Sequence, residues 1–311
     1  MGNNEHFPVL LGPVLEGLDI KKDGLYVDGT FGRGGHSEEI LRRLNSKGRL
    51  IGIDRDPDAI ASAPTILIND PRFELIRGES GNLKKYIEER NLQGEVDGLL
   101  FDLGVSSPQL DEAKRGFSFL RDGPLDMRMD PSSGIPASEL ISNMEKAELK
   151  KIFRTYGEEI YASRIAQAIC DARKTSKIET TLQLAKIVDT AIPSTKKPRK
   201  KHPATKVFQA IRIFINDELT QLQRLLLQSI EVLKKDGRLC VISFHSLEDR
   251  IVKRFMRDMS REHEQYRGMP NIPIEFQPKL TTIKTLIKAP IEEINKNIRS
   301  RSARLRVGKR I

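Results

Sequence analysis

Over the first hundred residues, short apolar runs alternate with stretches in which hydrophobic positions recur every three or four residues. The apolar runs are Leu25 to Val27, Leu50 to Ile53, Phe73 to Ile76 and Val96 to Phe101, with a fifth at Arg238 to Ser243. Runs this short, rich in branched residues and separated by amphipathic segments, predict the strands of a parallel sheet covered by helices. Between Asp102 and the fifth run the period changes. A Gly/Pro-punctuated loop extends to about Pro136, then helical patterns occupy 137 to 155, 158 to 174 and 179 to 191. Pro193, Pro198 and Pro203 close that region, and a long helical pattern from about Ala204 to Lys234 leads back to the sheet. The expected class is α/β: a doubly wound, Rossmann-like sheet over 1–109 and 204–311, interrupted by a helical insertion over 110–203.

The junction between the first two runs narrows the chemistry. Residues 24–56 read GLYVDGTFGRGGHSEEILRRLNSKGRLIGIDRD: a strand, a turn containing Gly29, Gly32, Gly34 and Gly35, a helix, and a second strand ending on Asp54. An acid about twenty residues beyond such glycines meets the ribose hydroxyls of a nucleotide-type cofactor. A dinucleotide fingerprint would place a third glycine where Ser37 stands, and Glu38 and Glu39 open the helix where a pyrophosphate needs positive potential. S-adenosylmethionine carries no phosphate and has a cationic sulfonium, so the pattern favours it over NAD. The same glutamates also complement a helix dipole, as acids in a first turn do in most helices.

Composition sets outer limits. The 311 residues suffice for one large or two modest domains, and two cysteines, Cys170 and Cys240, make neither a disulfide framework nor a metal site. No apolar run approaches a membrane span, and the start MGNNEHF lacks a signal-peptide pattern, so a soluble, cytoplasmic protein is expected. The formal charge of +10 is concentrated. Five basic groups lie in 196–201 and six in 299–310, with no acid in either span, and without them the chain is close to neutral. Two such runs beside a cofactor site point to nucleic-acid phosphates, against the alternative of a solvated loop and a frayed tail.

Seven segments are more specific: DGTFGRGGHS at 28–37, GIDRDPDAI at 52–60, DLGVSSPQLD at 102–111, RGFSF at 115–119, DGPLDMRMD at 122–130, HPATKVFQAIRI at 202–213 and VISFHSLEDRIVKRFM at 241–256. In this order and spacing they closely resemble the bacterial RsmH (MraW) family, nearly end to end. The resemblance implies a class I S-adenosylmethionine-dependent methyltransferase fold. It also implies methylation of the exocyclic amine of a cytidine in the decoding region of 16S rRNA, within the small ribosomal subunit. The inserted helices would then recognise substrate, with a homodimer as one assembly open to the protein. Carried over residue by residue, the cofactor contacts fall on Gly34, Gly35, His36, Asp54, Ser80, Asp102 and Gln109. Two places depart from the family: Ser80 stands where an aromatic is common, and the tail reads NIRSRSARLRV where Asn-Pro-Arg is usual.

Asp102, at the end of the fourth strand, is the expected catalytic residue. A cytosine amine is a poor nucleophile because its lone pair is delocalised into the ring. A hydrogen bond to Asp102 would localise that pair and hold it in line with the methyl group; orientation of the cofactor is the other role open to this carboxylate. Asp122, Asp126 and Asp130 recur every four residues but, with Pro124 and two methionines between them, suit an ordered loop better than a metal site. His245 and Glu248 follow a strand end, lining the catalytic mouth or holding local structure. Arg212 and Asn216 share a helix face, toward RNA or toward a loop beneath.

Overall fold

The computed structural model describes residues 8–193 and 202–311. They fall into two compact units, one of residues up to Gly104 together with Leu219–Ile311, the other of Val105–Glu218.

The first unit is built on a seven-stranded sheet. Its strands are β1 (Leu25–Asp28), β2 (Arg49–Asp54), β3 (Phe73–Arg77), β4 (Val96–Asp102), β5 (Leu233–Ser243), β6 (Leu280–Lys288) and β7 (Arg304–Arg310). They lie in the order β3-β2-β1-β4-β5-β7-β6. The first five are parallel, while β7 runs antiparallel between β5 and β6. Because both faces are covered, successive strand residues enter different cores. Leu25, Val27, Leu99, Phe101, Leu239 and Val241 pack with Leu222, Leu225 and Val252. Tyr26, Leu50, Leu100, Cys240 and Ile242 pack with Leu10, Val14 and Ile40 on the other face. This is why β1 and β4 read as continuous apolar runs.

Strands β6 and β7 are absent from the expectation above. The basic run at 299–310 is not a frayed tail: Leu305 and Val307 are fully buried against β5, and Arg304 and Arg306, which alternate with them, face a helix. Arg304 and Arg306 hydrogen-bond the two carboxylate oxygens of Asp249 at 2.7 and 2.8 Å, on the helix Ser246–Met259. Lys309 pairs with Asp236, and Arg310 donates to the carbonyls of Ile230 and Lys279. Four of the six basic groups therefore serve the sheet. The other run, 196–201, lies outside the described residues.

The second unit is helical: Ala137–Asn143, Lys146–Gly157, Ala162–Thr175, Thr181–Ala191 and Ala204–Ile215. Its core joins Leu140, Phe153, Ile165, Ile169, Val188 and Ile211. The unit begins at Val105 and runs to Glu218, so its edges differ from the expected 110 and 203. The long helix expected over 204–234 is two helices, because Asn216 ends the first and Asp217 turns left-handed at φ 49°. Arg212 forms a bidentate pair with Glu218 across that break at 2.8 Å, and Asn216, almost fully buried, exchanges hydrogen bonds with the backbone of Met127 and Met129. The break exists because Asn216 is used to hold the 122–130 loop. Among the described residues, no helix is long and apolar enough to cross a membrane.

Candidate active site

The first-unit residues singled out by sequence converge where β1, β2 and β4 end, the edge at which open parallel sheets bind ligands. After Asp28 the chain turns between its neighbours: Gly29 N–H donates to Leu100 O and Phe31 N–H to Ile53 O, both at 2.9 Å. A Cβ on Gly29 would lie 2.4 Å from the Phe101 ring, so only glycine passes. Gly34 sits at φ 75° as N-cap of the helix Gly35–Leu41. Side chains at Gly34 or Gly35 would strike Phe31 and Leu67, or Pro8, so these two glycines admit protein packing. Gly32, at φ 55°, is the one whose missing side chain faces open space, with Thr30 O its nearest neighbour at 3.9 Å.

Asp54 fastens this turn. Its carboxylate accepts from Gly32 N–H at 2.7 Å and Asp56 N–H at 2.9 Å, while burial raises its pKa against those bonds. The Asp54 carbonyl accepts from Gly78 N–H at 2.8 Å, which brings the 78–80 segment alongside, and Ser80 Oγ donates to Gly29 O. Glu79 pairs with Arg55 at 3.3 Å and accepts from Gln221.

At the end of β4, Asp102 donates its backbone N–H to Thr30 Oγ1 at 2.6 Å. Its Oδ1 is buried with no hydrogen-bond partner among the described residues. Its Oδ2 lies 3.7 Å from His36 Nδ1. Burial, with the charges of Asp28 and Glu248, pushes this carboxyl well above the ordinary range. Asp28 is itself enclosed, accepting from Ser37 Oγ at 2.8 Å and Thr30 N–H at 3.2 Å, and burial raises it to about 6. Burial lowers His36 to about 4, and its Nε2 lies 3.0 Å from Val9 O. Asp28, Thr30 and Ser37 were not singled out by sequence reasoning. The signal was present, since Asp28 ends β1 as Asp54 ends β2.

The remaining candidates divide. Gln109 belongs to the second unit, where its Oε1 accepts from Ser106 N–H at 2.9 Å in a capping box. Asp122 accepts from the amide of Leu182, Asp126 forms a bidentate pair with Arg128, and Asp130 accepts from Ser132, so each carboxylate of that loop is engaged in its fold. His245 caps the helix Ser246–Met259 in a reciprocal box with Glu248, a structural use of both. Cys170 and Cys240 are buried, and burial pushes the Cys240 thiol up to about 12.

The carboxylates of Asp28, Asp54 and Asp102 thus end three neighbouring strands of the β3-β2-β1-β4-β5-β7-β6 sheet, and Asp102 keeps a buried oxygen with no partner among the described residues. The MraW methylase family matches the sequence over residues 3–311. The chain belongs to that family. Its similarity to proteins named ribosomal RNA small subunit methyltransferase H is 51% identity over 302 residues in Coxiella burnetii (strain Dugway 5J108-111), covering 97% of each chain. In Nitrosococcus oceani it is 51% over 316 residues, covering 100% of this chain and 99% of the relative. As a MraW-family methylase the protein is a methyltransferase whose methyl donor is S-adenosylmethionine.

Proposed function

We propose that this MraW-family methylase transfers the methyl group of S-adenosylmethionine to the exocyclic amine of a cytidine in the decoding region of 16S rRNA, acting on the small ribosomal subunit. The observation that carries the chemistry is the buried, unpartnered Oδ1 of Asp102 at the end of β4. A buried acceptor without a donor costs on the order of 1–3 kcal/mol, which an amine N–H arriving there would relieve. The bound cofactor supplies an electrophilic methyl group on a positively charged sulfur.

In this reading each residue has a task. Asp54, already fixed by two backbone donors, accepts from the ribose hydroxyls. Ser80 borders the adenine; with no aromatic ring there, it gives that side no stacking surface. Gly34, Gly35 and His36 line the methionine end, and the open side of Gly32 admits a close backbone approach. Gln109 completes the set of cofactor contacts that the family resemblance implies. Asp102 accepts from the cytidine amine and aligns its lone pair. The helices of Val105–Glu218 take the substrate strand, from which the target base must be unstacked or flipped. Work on assembled subunits puts the enzyme in the cytoplasm of a bacterial cell.

Attack by the amine needs no covalent enzyme intermediate. Methylation at carbon-5 would require a thiolate beside the ring, and Cys240 is a fully buried strand residue whose thiol resists ionisation. The deciding experiment is nucleoside mass mapping of small-subunit RNA from cells with and without the gene. Loss of an N4-methylated cytidine is expected; loss of 5-methylcytidine instead would overturn the proposal.

A further inference from the structure

The bond from His36 to Val9 determines how the site can handle a proton. A backbone carbonyl only accepts, so Nε2 of His36 carries the hydrogen and Nδ1 is bare. That bare nitrogen lies 3.7 Å from Oδ2 of Asp102. Two lone pairs facing each other would repel, so a proton belongs between them. The imidazole is only 6% exposed, and burial disfavours its charged form, which leaves the proton on Asp102 Oδ2. The charged and titratable groups facing this pair are Asp28 from the end of β1, Glu248 from the helix Ser246–Met259 and, behind Asp28, Asp54 from the end of β2. All are acids, so the surroundings hold the proton in place.

We propose that His36 is a positioning residue for methyl transfer, presenting Asp102 as a neutral acid and receiving through it the proton that the substrate amine gives up. This rests on the reading of the site as a cytidine amine methyltransferase. As the nitrogen–methyl bond forms with the amine's electron pair, the sulfur–methyl bond breaks and its pair stays on sulfur. The proton leaving the nitrogen goes to Oδ1 of Asp102, while the proton on Oδ2 passes to Nδ1 of His36. The positive charge that sulfur loses therefore appears on the imidazole, and the pocket's total charge is unchanged across the step. Asp28, Glu248 and Asp54 stabilise it in either place, and the Val9 carbonyl accepts a stronger hydrogen bond from the charged ring. The present 3.7 Å is longer than a hydrogen bond and tightens when substrate fills the site, as catalytic contacts commonly do.

The test is His36→Gln, whose amide can still donate to Val9 and present an oxygen to Asp102 but cannot take up a second proton. With small subunits from cells lacking the gene as substrate, the variant is assayed at saturating S-adenosylmethionine, because His36 also lines the methionine end of the cofactor. Its kcat near neutral pH should fall about ten- to a hundredfold and recover as pH rises, because Asp102 must now ionise to act alone. A wild-type rate and pH profile in the variant, or an equal loss at every pH, would overturn the inference. Nitrogen NMR of the histidine rings gives a second check that needs no variant: a neutral His36 protonated on Nε2 is expected, and one protonated on Nδ1 would also overturn it. Wild-type enzyme that makes no N4-methylcytidine would instead sink the parent reading.

Discussion

Replacing Asp249 with alanine separates the two meanings of the basic run at 299–310. Asp249 and Arg306 are each 9% exposed at their side chains, and the carboxylate also binds Arg304. Burial alone would raise the Asp249 pKa, but the hydrogen bonds from Arg306 and Arg304 outweigh it and hold the carboxyl below its ordinary value. Removing one partner of such a buried pair costs about 3–5 kcal/mol, chiefly because the guanidinium loses the carboxylate that offsets its burial. Against a native stability of about 5–15 kcal/mol, that is a large fraction. Urea unfolding of Asp249→Ala should show the loss. The double variant Asp249→Ala, Arg306→Met should lose less than the two single losses added together, since the two side chains interact directly. The pH dependence has a definite sign. A depressed carboxylate contributes stability above its unfolded pKa of about 3.9, and that contribution disappears as pH falls through the lower folded value. Wild type should therefore lose its advantage over Asp249→Ala on acidification. A loss below about 1 kcal/mol, or strictly additive effects in the double variant, would refute this account of the strand. So would an Arg306→Met protein that keeps its stability but binds RNA with a flatter salt dependence.

Asp54→Ala should weaken S-adenosylmethionine binding about ten- to a hundredfold, from loss of a charge-assisted contact worth roughly 1.5–3 kcal/mol; equal affinities by calorimetry would remove Asp54 from the site. The pair Cys170→Ala, Cys240→Ala should leave methyl transfer intact in the folded protein, whereas Asp102→Ala should lose most of it, and a trapped covalent protein–RNA adduct would contradict both statements. Neutralising Lys196, Lys197, Arg199, Lys200 and Lys201 together should weaken RNA binding and flatten its salt dependence while sparing cofactor affinity. An unchanged slope would make that run a solvated loop.

The parallel half of the sheet was legible because its central strands β1 and β4 are buried on both faces and read as nearly uninterrupted apolar runs. Strand β7 was not, because Arg304 and Arg306, which alternate with its apolar residues, are engaged by Asp249 and Lys309 by Asp236, so its composition resembles a tail. Leu305 and Val307, two apart, carried the missed period. The break at Asn216 was hidden for a related reason: its helical period continues on both sides, and the interruption depends on a loop more than eighty residues earlier in the chain. At the site, spacing identified the acid that ends β2 and resemblance the one that ends β4. The Asp28–Ser37 pair and the Val9–His36 bond depend on how separate segments meet, and neither spacing nor residue type announces that.

The antiparallel strand β7 also has a consequence for the order of assembly. It supplies the neighbour of β5, yet it follows β5 by about sixty residues, with Ser243 opposite Arg304. A chain emerging from the ribosome therefore exposes the LCVIS edge of β5 for several seconds before its partner exists, at typical rates of synthesis. An unpaired apolar edge is a template for association with other chains. Chaperone dependence and misassembly in this protein should thus concentrate in that interval, and an interruption of synthesis between β5 and β7 should yield aggregates rather than a partly active enzyme.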